Sequence, residues 1–85
     1  IGYSAFKDCV MLKNIVIPGN YNSIGEYAFS GCSSLTGFEY KKSSYDFANQ
    51  SIGSHAFYQC IKLNDVKLPT TLGTIGSYAF YGKRL

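Results

Sequence analysis

The amino-acid sequence predicts an α/β-type solenoid, in which one short unit coils and stacks on copies of itself. Two observations lead there. The string Ile-Gly-x-x-Ala-Phe occurs four times, at residues 1–6, 24–29, 52–57 and 75–80. Behind the first three copies the same further residues follow in register. A Cys comes three residues after the Phe (Cys9, Cys32, Cys60) and a Leu three residues later (Leu12, Leu35, Leu63). An apolar-x-apolar pair then follows: Ile15 and Ile17, Phe38 and Tyr40, Val66 and Leu68. Self-similarity at a period of about 20–50 residues is the mark of stacked units, each too small to bury its apolar face alone. The unit starts divide a single domain, 1–85, into units of about 1–23, 24–51 and 52–74 and a partial unit 75–85.

Each part of the unit has a local reading. Leu-x-x-Ile-x-Ile alternates with period two near its end, which is strand behaviour. Such a strand turns Ile15 and Ile17 inward and leaves Asn14 and Val16 outward. Pro18 and Pro69 close two of the pairs, and proline cannot donate to a strand ladder. Lys41 stands in that place in the middle unit. In Ala-Phe-x-x-Cys the apolar spacing suits one helical or 3₁₀ turn facing inward. The Gly of Ile-Gly reads as a corner, with a tight bend or a positive φ. The middle unit also carries a longer connection, Lys41 to Ser51, with Lys41, Lys42, Tyr45, Asp46 and Phe47 close together.

This pattern resembles the BspA-like, or Treponema-type, leucine-rich repeats, whose unit reads Leu-x-x-Ile-x-Ile-Pro followed by Ile-Gly-x-x-Ala-Phe-x-x-Cys. The resemblance covers essentially the whole chain and departs only in the middle unit. It implies a leucine-rich-repeat-like right-handed coil, with short parallel strands on its concave side and the helical or 3₁₀ turns on its convex side. It also implies a surface or secreted location and a role in adhesion to host proteins or other cells. It brings no catalytic residues.

The remaining residues are expected to be structural. The net charge of +3 comes from scattered basic residues, too sparse for a nucleic-acid stripe. No run of 18 apolar residues occurs, so no membrane insertion is expected. The chain starts in mid-unit, so the lack of a visible signal peptide is uninformative. Exposed apolar coil faces at residues 1–6 and 75–80 are expected to promote self-association. The cysteines occupy one unit position and contain no Cys-x-x-Cys, so they read as a buried, reduced column and not as a zinc site. His55 is the sole histidine, in a slot held elsewhere by Ser4, Tyr27 and Tyr78, which reads as a partly exposed packing position. No catalytic set and no cofactor is expected. Asn49-Gln50-Ser51 matches the glycosylation acceptor pattern, a short and weak match.

The expected function is a non-catalytic protein-protein interaction module. Adhesion or recognition at a cell surface is the first reading, with a host or cell-surface protein as partner. The alternative is an intracellular structural scaffold packed against neighbouring subunits of a larger assembly. Outward strand positions Asn14, Val16, Gly37, Glu39, Asp65 and Lys67 make one candidate binding patch, on the face where repeat proteins often bind. Its mixed charge predicts weak salt dependence. The connection residues Lys41, Lys42, Tyr45 and Phe47 make a second. Tyr21, Tyr45, Tyr58 and Tyr81 have no fixed inward slot and stay open between contact residues and edge cover.

Overall fold

The computed structural model describes residues 1–44 and 49–82. Six short strands appear: β1 (Asn14–Ile17), β2 (Ser23–Ile24), β3 (Gly37–Tyr40), β4 (Gln50–Ile52), β5 (Asp65–Lys67) and β6 (Leu72–Ile75). They form two parallel three-stranded sheets, ordered β1-β3-β5 and β2-β4-β6. Equivalent residues of successive units stand opposite one another, as in Ile15↔Phe38↔Val66 and Ile24↔Ile52↔Ile75. The β1-β3-β5 sheet is the one the apolar-x-apolar pairs predict. The second sheet was not expected, because strands of two to four residues carry too few alternations to leave a periodic signal.

The third side of each rung is not helical. Among the described residues there is no helix or 3₁₀ segment, which corrects the expected turn at Ala-Phe-x-x-Cys. The backbone N–H groups there split into two alternating sets. Those of Ala28, Ser30 and Cys32 donate within the rung to the carbonyls of Gly25, Tyr27 and Phe29, at 3.1–3.2 Å. Those of Tyr27, Phe29 and Gly31 donate to the next rung, to the carbonyls of Ser54, Ala56 and Tyr58, at 2.7–3.1 Å. The first and third rungs repeat this pattern onto their successors. A helix directs every interior N–H back along its own segment, so this sharing rules it out. The result is a chain of linked β-turns and a third ladder between rungs.

Such turns need positive φ where a type II turn has its third residue. Two positions per unit adopt it: Ser4, Tyr27, His55 and Tyr78 (φ 54–59°), and Asp8, Gly31, Gln59 and Gly82 (φ 60–90°). Left-handed backbone disfavours any residue with a Cβ, so glycine fits the second position best. The glycine of Ile-Gly serves another purpose. Its φ is not positive, so of the two expected alternatives, a tight bend or a positive φ, the second is not adopted. A Cβ on Gly53 would come within 2.7–2.9 Å of backbone atoms of Ile24, Gly25 and Glu26. Gly25 stands equally close to Ile1 and Gly2. The column lets two backbones touch.

The core is a set of ladders running through the rungs. Ile24 and Ile52, Ala28 and Ala56, Phe29 and Phe57, Cys32 and Cys60, and Leu35 and Leu63 are all buried. The rings of Phe6, Phe29, Phe57 and Phe80 stack in turn with centroids 5.2 Å apart and planes within 6° of parallel. The first and last described rungs each have a single neighbouring rung. Phe6 and Ile75, which share core slots with buried residues but lie in the segments expected to present exposed apolar faces, are 39% and 48% exposed, and Leu68 is 42% exposed. Cys9 is half-buried, against its expected burial, for the same reason.

Phe57 lies between two stacked rings and 4.3 Å from the Phe38 centroid. Phe57→Ala should lower unfolding free energy by about 3–5 kcal/mol in chemical denaturation. The turn ladder predicts opposite signs for two smaller changes. Gly31→Ala should cost about 1–2 kcal/mol, since left-handed backbone resists a Cβ and the Asp8 carboxylate fills the space. Gln59→Gly should leave stability equal or higher, and a loss comparable to that of Gly31→Ala would contradict the turn geometry.

Candidate functional site

The outward face of β1-β3-β5 is built by register. Asn14 pairs with Gly37 and Gly37 with Asp65, while Val16 pairs with Glu39 and Glu39 with Lys67. All six predicted patch residues line one open groove of about 110 Å³. Gly37 has no side chain between Asn14 and Asp65, so it forms the floor of the groove. A Cβ there would stand 2.5 Å from Asn14 Oδ1. Val16 is 53% exposed without a structural need for an apolar side chain.

A second recess of about 450 Å³ adjoins the groove, lined by Glu39, Tyr40, Lys41, Lys42, Lys67, Leu68, Pro69 and Thr70. Glu39 and Lys67 belong to both. The structure thus joins the two patches that the sequence presents separately, at least for Lys41 and Lys42. Tyr45 and Phe47, the other two connection residues, lie outside the described residues. Lys41 Nζ sits 3.7 Å from Glu39 Oε2, an exposed pair of small energetic weight. Among the described residues Lys42 and Lys67 pair with no carboxylate.

The start of the long connection is held from below. Gln50 is fully buried, and its Nε2 donates to the carbonyl of Lys41 at 2.9 Å and to that of Gly19 at 3.5 Å. The Thr71 hydroxyl donates to Gln50 Oε1 and accepts from the Ser43 N–H at 3.2 Å. The Tyr40 hydroxyl donates to the Tyr21 carbonyl at 2.6 Å. The Lys41 N–H still donates to the Ile17 carbonyl at 2.9 Å, and a buried amide satisfied on both sides can lock the chain where it leaves that ladder. Sequence reasoning missed Gln50 and Thr71. The sequence held no signal for them: Asn22 and Gly73 stand two positions before Ile24 and Ile75, so a glutamine two positions before Ile52 does not stand out.

The other candidates find structural places. Cys60 Sγ donates to the Phe29 carbonyl at 3.1 Å and Cys32 Sγ to the Phe6 carbonyl at 3.2 Å. Each thiol therefore links its rung to the preceding one, and all three cysteines are free. Burial pushes the Cys60 thiol from 9.0 up to about 12 and also raises Cys32. His55 is half-buried and stacks on Tyr27 with centroids 4.7 Å apart. The Ser54 hydroxyl has one proton and gives it to the Ser77 carbonyl at 3.0 Å. It must then accept from His55 Nδ1 at 2.7 Å, which assigns the proton to Nδ1. Tyr58 and Tyr81 stack 5.5 Å apart beside Tyr78 on the turn side, away from both recesses. Among the described residues no group of three His, Cys, Asp or Glu side chains could hold a metal ion. No described helix is long and apolar enough to cross a membrane.

A family model described as a BspA type leucine rich repeat region, in six copies, matches residues 1–85. Neither a curated protein nor a solved structure matches the chain.

The thiol column predicts an alkaline weakness. A group whose folded pKa is raised stabilises the fold fully below its unfolded pKa, here near pH 9. That contribution is lost as pH rises from about 9 toward 12, so denaturation midpoints should fall over this interval. Cys60→Ala should flatten the fall. In the native protein at neutral pH, iodoacetamide should label Cys9 first and Cys60 last, read by mass spectrometry.

Proposed function

We propose that this chain, which belongs to the BspA-type leucine-rich repeat family, is a non-catalytic module that binds a protein partner across the outward face of β1-β3-β5. Repeats of this family are generally protein-interaction units, and often surface-associated. On that basis the proposed setting is adhesion or recognition at a cell surface, with a host or cell-surface protein as partner. The observation that carries the reading is the convergence of Asn14, Val16, Gly37, Glu39, Asp65 and Lys67 on one groove.

The physical case is one of rigidity and access. Parallel rungs hold these side chains through backbone bonds, so a partner orders little on binding. Gly37 leaves a low floor that an incoming side chain can reach. The polar positions around Val16 supply hydrogen-bonding groups at the rim of an apolar contact, the usual anatomy of a protein interface.

Two measurements test this. Intact cells that produce the protein should be labelled by an antibody to it without permeabilisation, and a strictly internal signal would end the surface reading. Purified protein should bind target cells or their extracted surface proteins, measured by surface plasmon resonance. Val16→Arg should weaken that binding at least tenfold, while Lys62→Glu on the turn side should change it less than twofold. Equal effects would remove the groove from the interface.

A further inference from the structure

The recess beside the groove has a definite chemistry. Three ammonium groups, Lys41, Lys42 and Lys67, line it with a single carboxylate, Glu39. Glu39 is engaged by Lys41 at 3.7 Å, so Lys42 and Lys67 keep their charges uncompensated among the described residues. One wall is apolar, formed by Pro69 and by Leu68, which is 42% exposed. The volume of about 450 Å³ suits a short peptide turn or two to three side chains. The backbone beneath Lys41 is fixed by Gln50, so this ammonium group starts from an ordered anchor.

We propose that this recess receives an acidic peptide segment of the protein partner, with carboxylates at Lys42 and Lys67 and an aliphatic side chain against Leu68 and Pro69. The proposal rests on the reading of the adjoining groove as the partner face, and refines it by naming the partner's chemistry. Charge complementarity selects the occupant. Nucleic acid fits less well. A continuous phosphate chain would have to pass Glu39 and Asp65, which a short acidic segment seated at Lys42 and Lys67 avoids, and the two aromatic lining residues, Phe38 and Tyr40, are buried and offer no face for a base. Taken alone, the groove has the mixed charge from which weak salt dependence is expected. With the lysine recess joined to it, binding acquires a salt-sensitive part.

The test uses the whole chain and a fluorescein-labelled peptide of alternating Glu and Leu, with a Lys and Leu peptide of the same length for comparison, read by anisotropy. The acidic peptide should bind, and about tenfold more weakly at 300 mM than at 50 mM NaCl. Lys42 and Lys67 are exposed, so the double variant K42E/K67E should fold normally by circular dichroism and lose at least tenfold in affinity. The double variant K7E/K62E makes the same change of charge on the turn side and should lose less than twofold. Equal losses in the two double variants would reduce the effect to overall net charge and overturn the proposal. Equal binding of the basic peptide, or displacement of the acidic one by polyuridylate at lower concentration, would overturn it as well. The two readings fail separately: Val16→Arg leaves the lysines in place, so cell binding lost in that variant, with no acidic peptide bound by the parent chain, rejects only the acidic segment.

Discussion

Each rung of this protein shares backbone hydrogen bonds with the next on all three of its sides. Two sides do so as parallel strands. The third does so through the turn ladder, in which alternate N–H groups reach across to the following rung at 2.7–3.1 Å. Three ladders fix the separation of the rungs, and the other repeating features follow from that separation. Phenylalanine rings stack at 5.2 Å because their backbones are held about one strand spacing apart. Glycine is required after Ile24, Ile52 and Ile75 because two backbones meet there without room for a Cβ. Cysteine suits its column because a small thiol can fill the space and still donate to the carbonyl one rung back.

The same constraint carries a local cost. The turn ladder holds six described non-glycine residues in left-handed backbone, two of them Tyr and one His. Each costs about 1–2 kcal/mol in isolation. They persist because every strained turn frees an N–H for the neighbouring rung, and because the side chains stack on one another, as Tyr27 does on His55. Local strain and contact between rungs therefore balance along the stack. Each rung relies on its neighbours, which is the energetic character of repeat proteins.

The long connection is the irregular part of the middle unit, and there polar contacts take over where the strand ladder ends at Lys41. The connection after Tyr40 is longer than its counterparts and lacks the proline. Gln50 and Thr71 bind its first residues from inside the stack. This is how Lys41 and Lys42 come to stand beside the strand face instead of projecting from it. Regular rungs supply a rigid groove, and the one irregular rung supplies charge at its end.

What the sequence by itself determined is the repeat, the first sheet and the core ladders. Residues such as Phe29, Phe57, Leu35 and Leu63 recur because each must meet its own copy, and recurrence is visible without coordinates. The outward alternation of Asn14, Val16, Gly37 and Glu39 was legible for the same reason, since a strand has period two. The turn side was not legible. Apolar spacing of three and four is shared by a helix and by linked β-turns, and only the bonds donated to the neighbouring rung separate them. The tertiary structure also decided that the lysines of the connection join the groove. That contact depends on Gln50 and Thr71, 21 residues apart, meeting under a loop, and no periodic pattern records a single long-range hydrogen bond.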